Sequence, residues 1–93
     1  MPDDYSFSKT SIPVKLAAFG DENLLSRSQA KRLVARADRF KNVELDFSDV
    51  EEIGQAFADE VFRVFAKAHP HVALNAVNAS AYVAGMIKRV KAA

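Results

Sequence analysis

The sequence V-E-L-D-F-S-D-V-E-E-I-G-Q-A-F-A-D-E-V-F-R-V-F, residues 43–65, decides the fold that we predict for this chain. Val43, Leu45 and Phe47 alternate with two acidic residues, which is the period-2 pattern of a strand with one buried face. A short acidic connection follows, and Gly54 then opens an amphipathic helix. A buried strand that leads into a helix in this way is typical of α/β domains.

Two extended pieces precede this segment. Residues 5–10 alternate with period 2, and a second extended piece follows around residues 12–19. Pro13 excludes the second piece from a central position in the sheet, because proline cannot donate a ladder hydrogen bond. The two pieces therefore form either a hairpin or one bent edge strand.

Two helices are predicted from apolar residues at helical spacing. The first begins at Ser26, which forms a capping box with Gln29, and it ends at residues 40–42. The second covers residues 55–68. Its inward residues are Phe57, Val61, Val64, Phe65 and Ala68.

The sequence pattern in the last part of the chain predicts one more strand and one more helix. Residues 72–77 are rich in apolar residues and form the strand. Asn78 is expected to cap a helix over residues 79–90. Gly85, in the middle of that helix, lowers its helix propensity by about 1 kcal/mol relative to alanine.

The predicted order of elements is β(β)-α-β-α-β-α. Helices that separate successive strands favour a mainly parallel sheet. A chain of 93 residues has room for one modest core. We therefore predict a single α/β domain over residues 1–93, with residues 1–4 frayed and a small, mainly parallel sheet of four strands with three helices.

Composition narrows the class of protein. Apolar residues make up 49% of the chain, which is typical of a globular domain. The absence of cysteine excludes disulfides, thiolate metal sites and a cysteine nucleophile. No apolar run approaches the roughly 20 residues that span a bilayer, and the acidic start of the sequence does not resemble a signal peptide. A cytoplasmic protein without a cofactor is the expectation.

Charge is unevenly distributed along the chain, although the net charge is only +1. Residues 27–41 contain six basic residues and one acid, whereas residues 42–62 contain seven acids and neither Lys nor Arg. Adjacent solvated faces are the favoured interpretation, because charged side chains normally lie on exposed surfaces. A bipolar interaction surface is the alternative.

The run L-D-F-S-D-V-E-E-I, residues 45–53, resembles the central motif of STAS domains, the fold of bacterial anti-sigma factor antagonists. The chain is more closely similar to a STAS-like family of unknown function. The similarity lies in residues 26–30, 45–47, 53–60, 62–63, 69–70 and 78–89. It implies a STAS-like fold and a regulatory binding role, since proteins of this family can accompany or be fused to histidine-kinase-like ATPase domains.

The resemblance also implies where a phosphorylated serine would lie. In STAS domains a partner kinase of the histidine-kinase-like class phosphorylates a serine in an Asp-Ser-Ser-Gly-like turn. This chain has Gly54, Gln55, Ala56 and Phe57 at the corresponding positions, so no hydroxyl is present there. Ser48 is the nearest serine, and we interpret it as a turn or capping residue.

The predicted working surface is the region of residues 48–63. The residues assigned to partner binding are Ser48, Gly54, Gln55, Asp59, Phe62 and Arg63. Asp59 is expected to pair with Arg63 at i+4, while Glu60 is expected to reach Arg63 or Lys67, so these carboxylates form ion pairs rather than a catalytic pair. Phe62 lies off the apolar stripe and is either an interface anchor or part of the core edge. No enzymatic activity is expected.

Two other functions stay open. A nucleic-acid-associated regulator would use the basic helix over residues 27–41, with a basic face of Arg27, Lys31, Arg32 and Arg36. A solvated or protein-binding face is favoured over nucleic acid, because interleaved aromatics and helix-turn-helix spacing are absent. A small nucleotide or anion sensor would use the Gly54 turn at the helix N-terminus, although the neighbouring acids would repel an anion.

Two further features bear on ligands and assembly. His69 and His71 flank Pro70 with no third ligand in reach by sequence, so no metal site is expected. An exposed edge strand would allow two copies to pair as a homodimer.

Overall fold

The computed structural model describes residues 9–17 and 26–92. The strands in these ranges are Lys9–Pro13 (β1), Asn42–Asp46 (β2) and Ala73–Val77 (β3). They form a parallel sheet in the order β1-β2-β3. The predicted α/β class and the parallel arrangement are therefore confirmed.

Three helices connect and follow these strands within the described ranges. Helix α1 is Arg27–Leu33, α2 covers residues 55–68, and α3 is Ala81–Ala92. Short 3₁₀ turns occupy Val14–Ala17 and Ala37–Arg39. In this part of the chain no helix is long and apolar enough to cross a bilayer.

The N-terminal strand region differs from the prediction of about four strands. The described sheet has three strands, and most of the strand predicted over residues 5–10, together with the predicted frayed residues 1–4, lies outside the described residues. The extended piece predicted from residue 12 to 19 is wrong over Val14–Ala17, because Val14 begins a 3₁₀ turn and its side chain is completely buried in the core, while residues 18 and 19 lie outside the described residues. Pro13 is the last residue of β1, an edge strand of the described sheet, where a missing N–H is tolerated.

The core lies between one face of the sheet and the helices. Val43 and Leu45 of β2 are fully buried, and Phe47 follows them into the same cluster. Helix α2 contacts both α1 and α3, so the three helices share this core. Both β1 and β3 lie at edges of the described sheet, and pairing of two copies through such an edge stays a prediction.

Helix α1 begins as predicted but ends early. The backbone N–H of Ser26 donates to Gln29 Oε1 at 2.6 Å, which is one half of the expected capping box. The helix ends at Leu33, although Val34 and Ala37 remain buried. The apolar spacing predicted that the helix continues to residues 40–42. After Leu33 the chain forms turns instead, and these turns still bury Val34 and Ala37.

Helix α2 contains a π-helical segment, Glu60–Phe65, that changes which residues face the core. A π segment bonds i to i+5 and has a wider turn than an α-helix, so the side chains after it rotate relative to the 3.6-residue period. Phe62 is only 4% exposed, whereas Val64 is 37% exposed. The prediction that Val64 points inward and Phe62 lies off the apolar face is therefore wrong.

Helix α3 is capped by Ser80 instead of Asn78. The Ser80 hydroxyl accepts a hydrogen bond from Val83 N at 3.1 Å, and Ser80 O accepts one from Ala84 N at 2.8 Å. Asn78 has a φ of 57°, a left-handed conformation, and its side chain bonds elsewhere. Beyond its chain neighbours and the backbone of its own helix, a β carbon placed on Gly85 would meet no atom within 4 Å, so a close contact with another part of the fold does not explain this glycine.

Candidate functional site

Polar groups gather at the carboxyl end of the sheet, where β2 and β3 finish. Asp46 Oδ1 accepts hydrogen bonds from Ser48 N at 2.9 Å, Ser48 Oγ at 2.7 Å and Asn78 Nδ2 at 3.1 Å. The Ser48 hydroxyl, followed by the Asn78 amide, holds the pKa of Asp46 below its ordinary value. Ser48 therefore serves as a turn residue, as its sequence position predicted, and its hydroxyl is already a donor.

The segment that follows, residues 48–54, is named here the carboxyl-end loop. Val50 N bonds Phe47 O at 3.0 Å, and the Ser80 hydroxyl donates to Glu51 O at 2.9 Å. Ile53 is fully buried beneath the loop. Internal hydrogen bonds and one apolar anchor therefore hold the loop against the start of α3.

The outer surface of the carboxyl-end loop is acidic. Its exposed side chains are those of Asp49, Glu51 and Glu52. Asp49 has a φ of 66°, and its carboxylate lies 3.4 Å from Lys15 Nζ. The loop thus presents three exposed carboxylates, which oppose the binding of an anion beside Gly54.

Gly54 and Gln55 form the start of α2. Gly54 is the N-cap with φ −74° and ψ 153°, an extended conformation that any residue adopts, so a positive φ does not explain this glycine. No side chain caps the helix there. Gln55 is exposed and Gly54 is half-buried, so the glutamine side chain is the more accessible of the two.

An ion-pair network joins α1 to α2. Arg27 Nη1 lies 2.9 Å from Glu60 Oε1, and Arg27 Nη2 lies 3.2 Å from Asp59 Oδ2. Arg63 donates to both oxygens of Asp59, through Nε and, at 3.0 Å, through Nη2. The predicted Asp59–Arg63 pair is present, whereas Glu60 pairs with Arg27 instead of the predicted Arg63 or Lys67.

The ion-pair network shifts the pKa values of its members. The hydrogen bond from Arg63 is the largest cause that lowers the pKa of Asp59 below its ordinary value, with Arg27 adding to it. Bonds to Glu60 and then Asp59 raise the pKa of Arg27, and the bond to Asp59 raises the pKa of Arg63. The two pairs of Arg27 join α1 to α2, whereas the Asp59–Arg63 pair lies within α2.

Phe62 is buried and forms part of an apolar cleft instead of an exposed anchor. The cleft has a volume of about 160 Å³ and is lined by Phe62, Ala66, Val72, Leu74 and Lys91. Lys91 Nζ lies 5.8 Å from the centroid of the Phe62 ring, within cation–π range. The core-edge interpretation of Phe62 matches this position.

The basic face predicted from Arg27, Lys31, Arg32 and Arg36 divides into two parts. Arg27 turns toward Asp59 and Glu60, while the other three are exposed in and beyond the last turn of α1.

The His69 ring lies 5.9 Å from that of His71, and His71 Nε2 is 3.1 Å from the Asp38 carbonyl oxygen. Within residues 9–17 and 26–92 no group of three or more His, Cys, Asp or Glu side chains is arranged to hold a metal ion.

Sequence reasoning missed two kinds of contact at these sites. Asp46 is the last residue of β2 and Ser48 comes just after it, while Asn78 and Ser80 come just after β3. Parallel strands end at the same side of a sheet, so these positions at the strand ends were a usable signal. The Arg27–Glu60 pair joins residues 33 positions apart, and no local pattern predicts it.

Comparison with known families places these features in context. The chain matches the model of a family described as a STAS-like domain of unknown function over residues 29–84. This match covers more than half of the chain, and the protein belongs to that family. It includes β2, the carboxyl-end loop, α2 and the start of α3. No curated protein and no solved structure matches the chain.

Proposed function

We propose that the chain is a non-enzymatic, cytoplasmic, regulatory protein-binding module, and that its carboxyl-end loop docks on a histidine-kinase-like ATPase or a similar signalling protein. Membership of a STAS-like family supports a binding module. The similarity of residues 45–53 to the STAS motif supports this class of partner, because the equivalent region of STAS domains meets such kinases.

The observation that carries the proposal is the contrast between the two sides of the carboxyl-end loop. Its inner side is held by the Ser80–Glu51 hydrogen bond and by buried Ile53. Its outer side carries three exposed carboxylates. A loop already fixed in one conformation loses little entropy on binding, and fixed surface charges steer the approach of a complementary partner.

The proposal gives different roles to the residues assigned to partner binding. Gln55 is exposed beside the loop and is proposed to contact the partner directly. Ser48 and Gly54 shape the turn, while Asp59 and Arg63 position the start of α2 through their ion pair. Phe62 is buried and supports the helix from within.

The proposed docking does not use a phosphorylated serine at the helix start. Residues 54–57 carry no hydroxyl, and the Ser48 hydroxyl donates to Asp46. No catalytic step is part of the proposal, since the Asp46, Asp59 and Glu60 carboxylates all accept hydrogen bonds from neighbouring side chains.

A titration with a purified histidine-kinase-like ATPase domain from the organism that encodes this chain tests the proposal. Isothermal calorimetry would compare the wild type with the Glu51→Lys/Glu52→Lys double variant. We expect the double variant to bind at least about tenfold more weakly, because reversed charges at a docking surface repel the partner. Gln55→Ala is expected to weaken binding by a smaller factor.

Asp38→Lys is the matched control, because Asp38 is an exposed acid at the other end of the sheet. Its binding should equal that of the wild type. Absence of binding by the wild type would contradict the choice of partner. Equal loss of affinity in Asp38→Lys and in the double variant would contradict the docking surface.

A further inference from the structure

Basic side chains collect at the amino end of the sheet, where the strands begin. Lys9 is the first residue of β1, and Lys41 directly precedes β2. The Lys41 carbonyl oxygen accepts a hydrogen bond from Ala73 N at 2.8 Å, which places the starts of β2 and β3 side by side. Since all three strands are parallel, these lysines lie at the same end of the molecule.

The helices and turns return to this end and add further cations. Lys67 is in the last turn of α2, which leads into β3. Arg39 lies beside Asp38, whose carbonyl oxygen is 3.1 Å from His71 Nε2 just before β3. The last turn of α3 carries two more basic residues, and one of them lines the apolar cleft together with Val72.

Together these residues form what is named here the amino-end face. Its members are Lys9, Arg39, Lys41, Lys67, Arg89 and Lys91. All six are exposed, and they come from five separate segments of the chain. Over the described ranges no ion pair joins any of the six to a carboxylate, and the acid nearest to them in sequence is Asp38.

Helix dipoles explain why some of the basic residues of this face lie where they do, but they do not explain the others. Basic residues near a helix C-terminus offset the partial negative charge of its last carbonyl groups, which suits Lys67, Arg89 and Lys91. Lys9 and Lys41 lie at strand starts, where no such dipole exists. Their convergence with the helix ends creates a concentrated positive field that attracts a polyanion.

We infer that the amino-end face binds the phosphate backbone of duplex nucleic acid without base specificity. In the described part of the chain the large apolar side chains that are exposed are Val64 and Tyr82, and neither belongs to this face. Insertion into a membrane uses exposed apolar side chains, and single-strand binding typically adds aromatic platforms on which the bases stack. Apart from the cleft beside Lys91, the face presents exposed cations, which match the phosphate contacts that carry sequence-independent binding.

This surface differs from the basic helix considered in the sequence. Arg27 of that helix is engaged with Asp59 and Glu60, and α1 ends at Leu33. Arg39 and Lys41, from the end of the basic run 27–41, belong to the amino-end face, and its other four cations come from β1, α2 and α3, which local sequence patterns do not connect. The amino-end face and the carboxyl-end loop lie at opposite ends of the strands, so the inference is independent of the proposed docking on an ATPase.

Fluorescence anisotropy with a random-sequence DNA duplex of roughly 20 base pairs, in salt from about 50 to about 200 mM, tests the inference. Six phosphate contacts give a slope of log K against log salt of up to about −5. The Lys41→Glu/Lys91→Glu double variant should bind at least about tenfold more weakly and show a slope shallower by about two. Circular dichroism would verify that each variant is folded.

Lys15→Glu is the control, because Lys15 is an exposed lysine beside the carboxyl-end loop. It should keep the wild-type salt slope. An equal loss in Lys15→Glu would overturn the inference, and so would binding that does not depend on salt. Equal affinity for polyglutamate, or binding only to anionic lipid vesicles, would overturn the assignment to nucleic acid.

Discussion

The two ends of the sheet differ in how their polar groups are satisfied. At the carboxyl end, one oxygen of Asp46 accepts three hydrogen bonds, and the Ser80 hydroxyl joins the carboxyl-end loop to α3. At the amino end, six exposed cations have no carboxylate partner within the described residues, and a cleft of about 160 Å³ lies beside Lys91. One end is fixed by internal bonds, whereas the other keeps its charges available.

This difference teaches that one small fold can separate opposite charges along the strand axis. Parallel strands begin together and end together, and each connecting helix returns the chain to the amino end. Residues far apart in sequence therefore collect at the same end. Two surfaces of opposite charge follow in a chain whose net charge is only +1.

Truncation of buried aromatic rings near each end should have the largest effect on stability. Phe57, in the first turn of α2, is fully buried, and Phe57→Ala is expected to lower the free energy of unfolding by about 3–5 kcal/mol. Phe62→Ala should cost less, because its ring borders a cleft that is already open, so that water can enter the space. Urea denaturation measures both values.

Val64→Ala serves as the control for this comparison, because Val64 is 37% exposed on the same helix and its truncation should change stability little. A larger loss for Phe62→Ala than for Phe57→Ala would contradict the difference in packing between the two ends.

Acid should loosen the carboxyl end before the amino end. The pKa of Asp46 is below its ordinary value of 3.8 in the folded chain, so its stabilising effect is fully present above that pH and is lost as the pH falls through the lower folded value. Asp59, whose pKa is lowered first by Arg63, acts with the same sign. NMR of the Ser48 amide would report the change below about pH 4.

The Ala73 amide, which bonds Lys41 O at the amino end, provides the internal comparison and should change only at lower pH. In Asp46→Asn the carboxyl group no longer titrates, so the acid response of the Ser48 amide should shrink. Simultaneous changes at Ser48 and Ala73 in the wild type would show a global transition and contradict a local one.

The smallest expected effect is a change in stability that leaves both ends unaltered. Gly85 lies exposed in the middle of α3, and a β carbon there would meet no atom within 4 Å beyond its chain neighbours and the backbone of its own helix. Gly85→Ala should therefore raise the free energy of unfolding by about 1 kcal/mol through helix propensity. Thermal or urea unfolding measures the gain, and binding at either end should stay unchanged.

Ala84→Gly, at the neighbouring exposed position of the same helix, is the matched opposite and should lose about 1 kcal/mol. A loss of stability in Gly85→Ala would indicate that this position makes a contact that the fold does not display.

Local sequence patterns correctly predicted the strands and helix starts where the side chains follow the regular strand or helix period. The alternation of Val43, Leu45 and Phe47 placed the central strand, and Ser26 with Gln29 placed the start of α1. The predicted burial of Phe62 and Val64 was wrong, because a π segment changes the helical period and no residue type in the sequence indicates such a segment. The predicted cap at Asn78 was wrong because its side chain bonds Asp46, a partner that only the sheet brings near.

Of the two candidate surfaces, the carboxyl-end loop could be predicted from the sequence, whereas the amino-end face could not. The acids of the carboxyl-end loop are contiguous in sequence, so their common surface and their place in a STAS-like motif could be recognised before the fold was known. The amino-end face could not, since Lys9, Lys41 and Lys91 belong to different elements. The Arg27–Glu60 pair likewise required α1 to pack on α2.

The sequence by itself determined the α/β class, the strand and helix that follow from residues 43–65, the acidic loop and the absence of a hydroxyl at residues 54–57. These properties depend on neighbours along the chain, where side-chain period and residue chemistry act directly. Only the tertiary structure decided that Phe62 is buried, that Arg27 is paired, and that the remaining cations meet at the amino end. Those properties depend on distances between elements, which are set by the packing of helices on a parallel sheet.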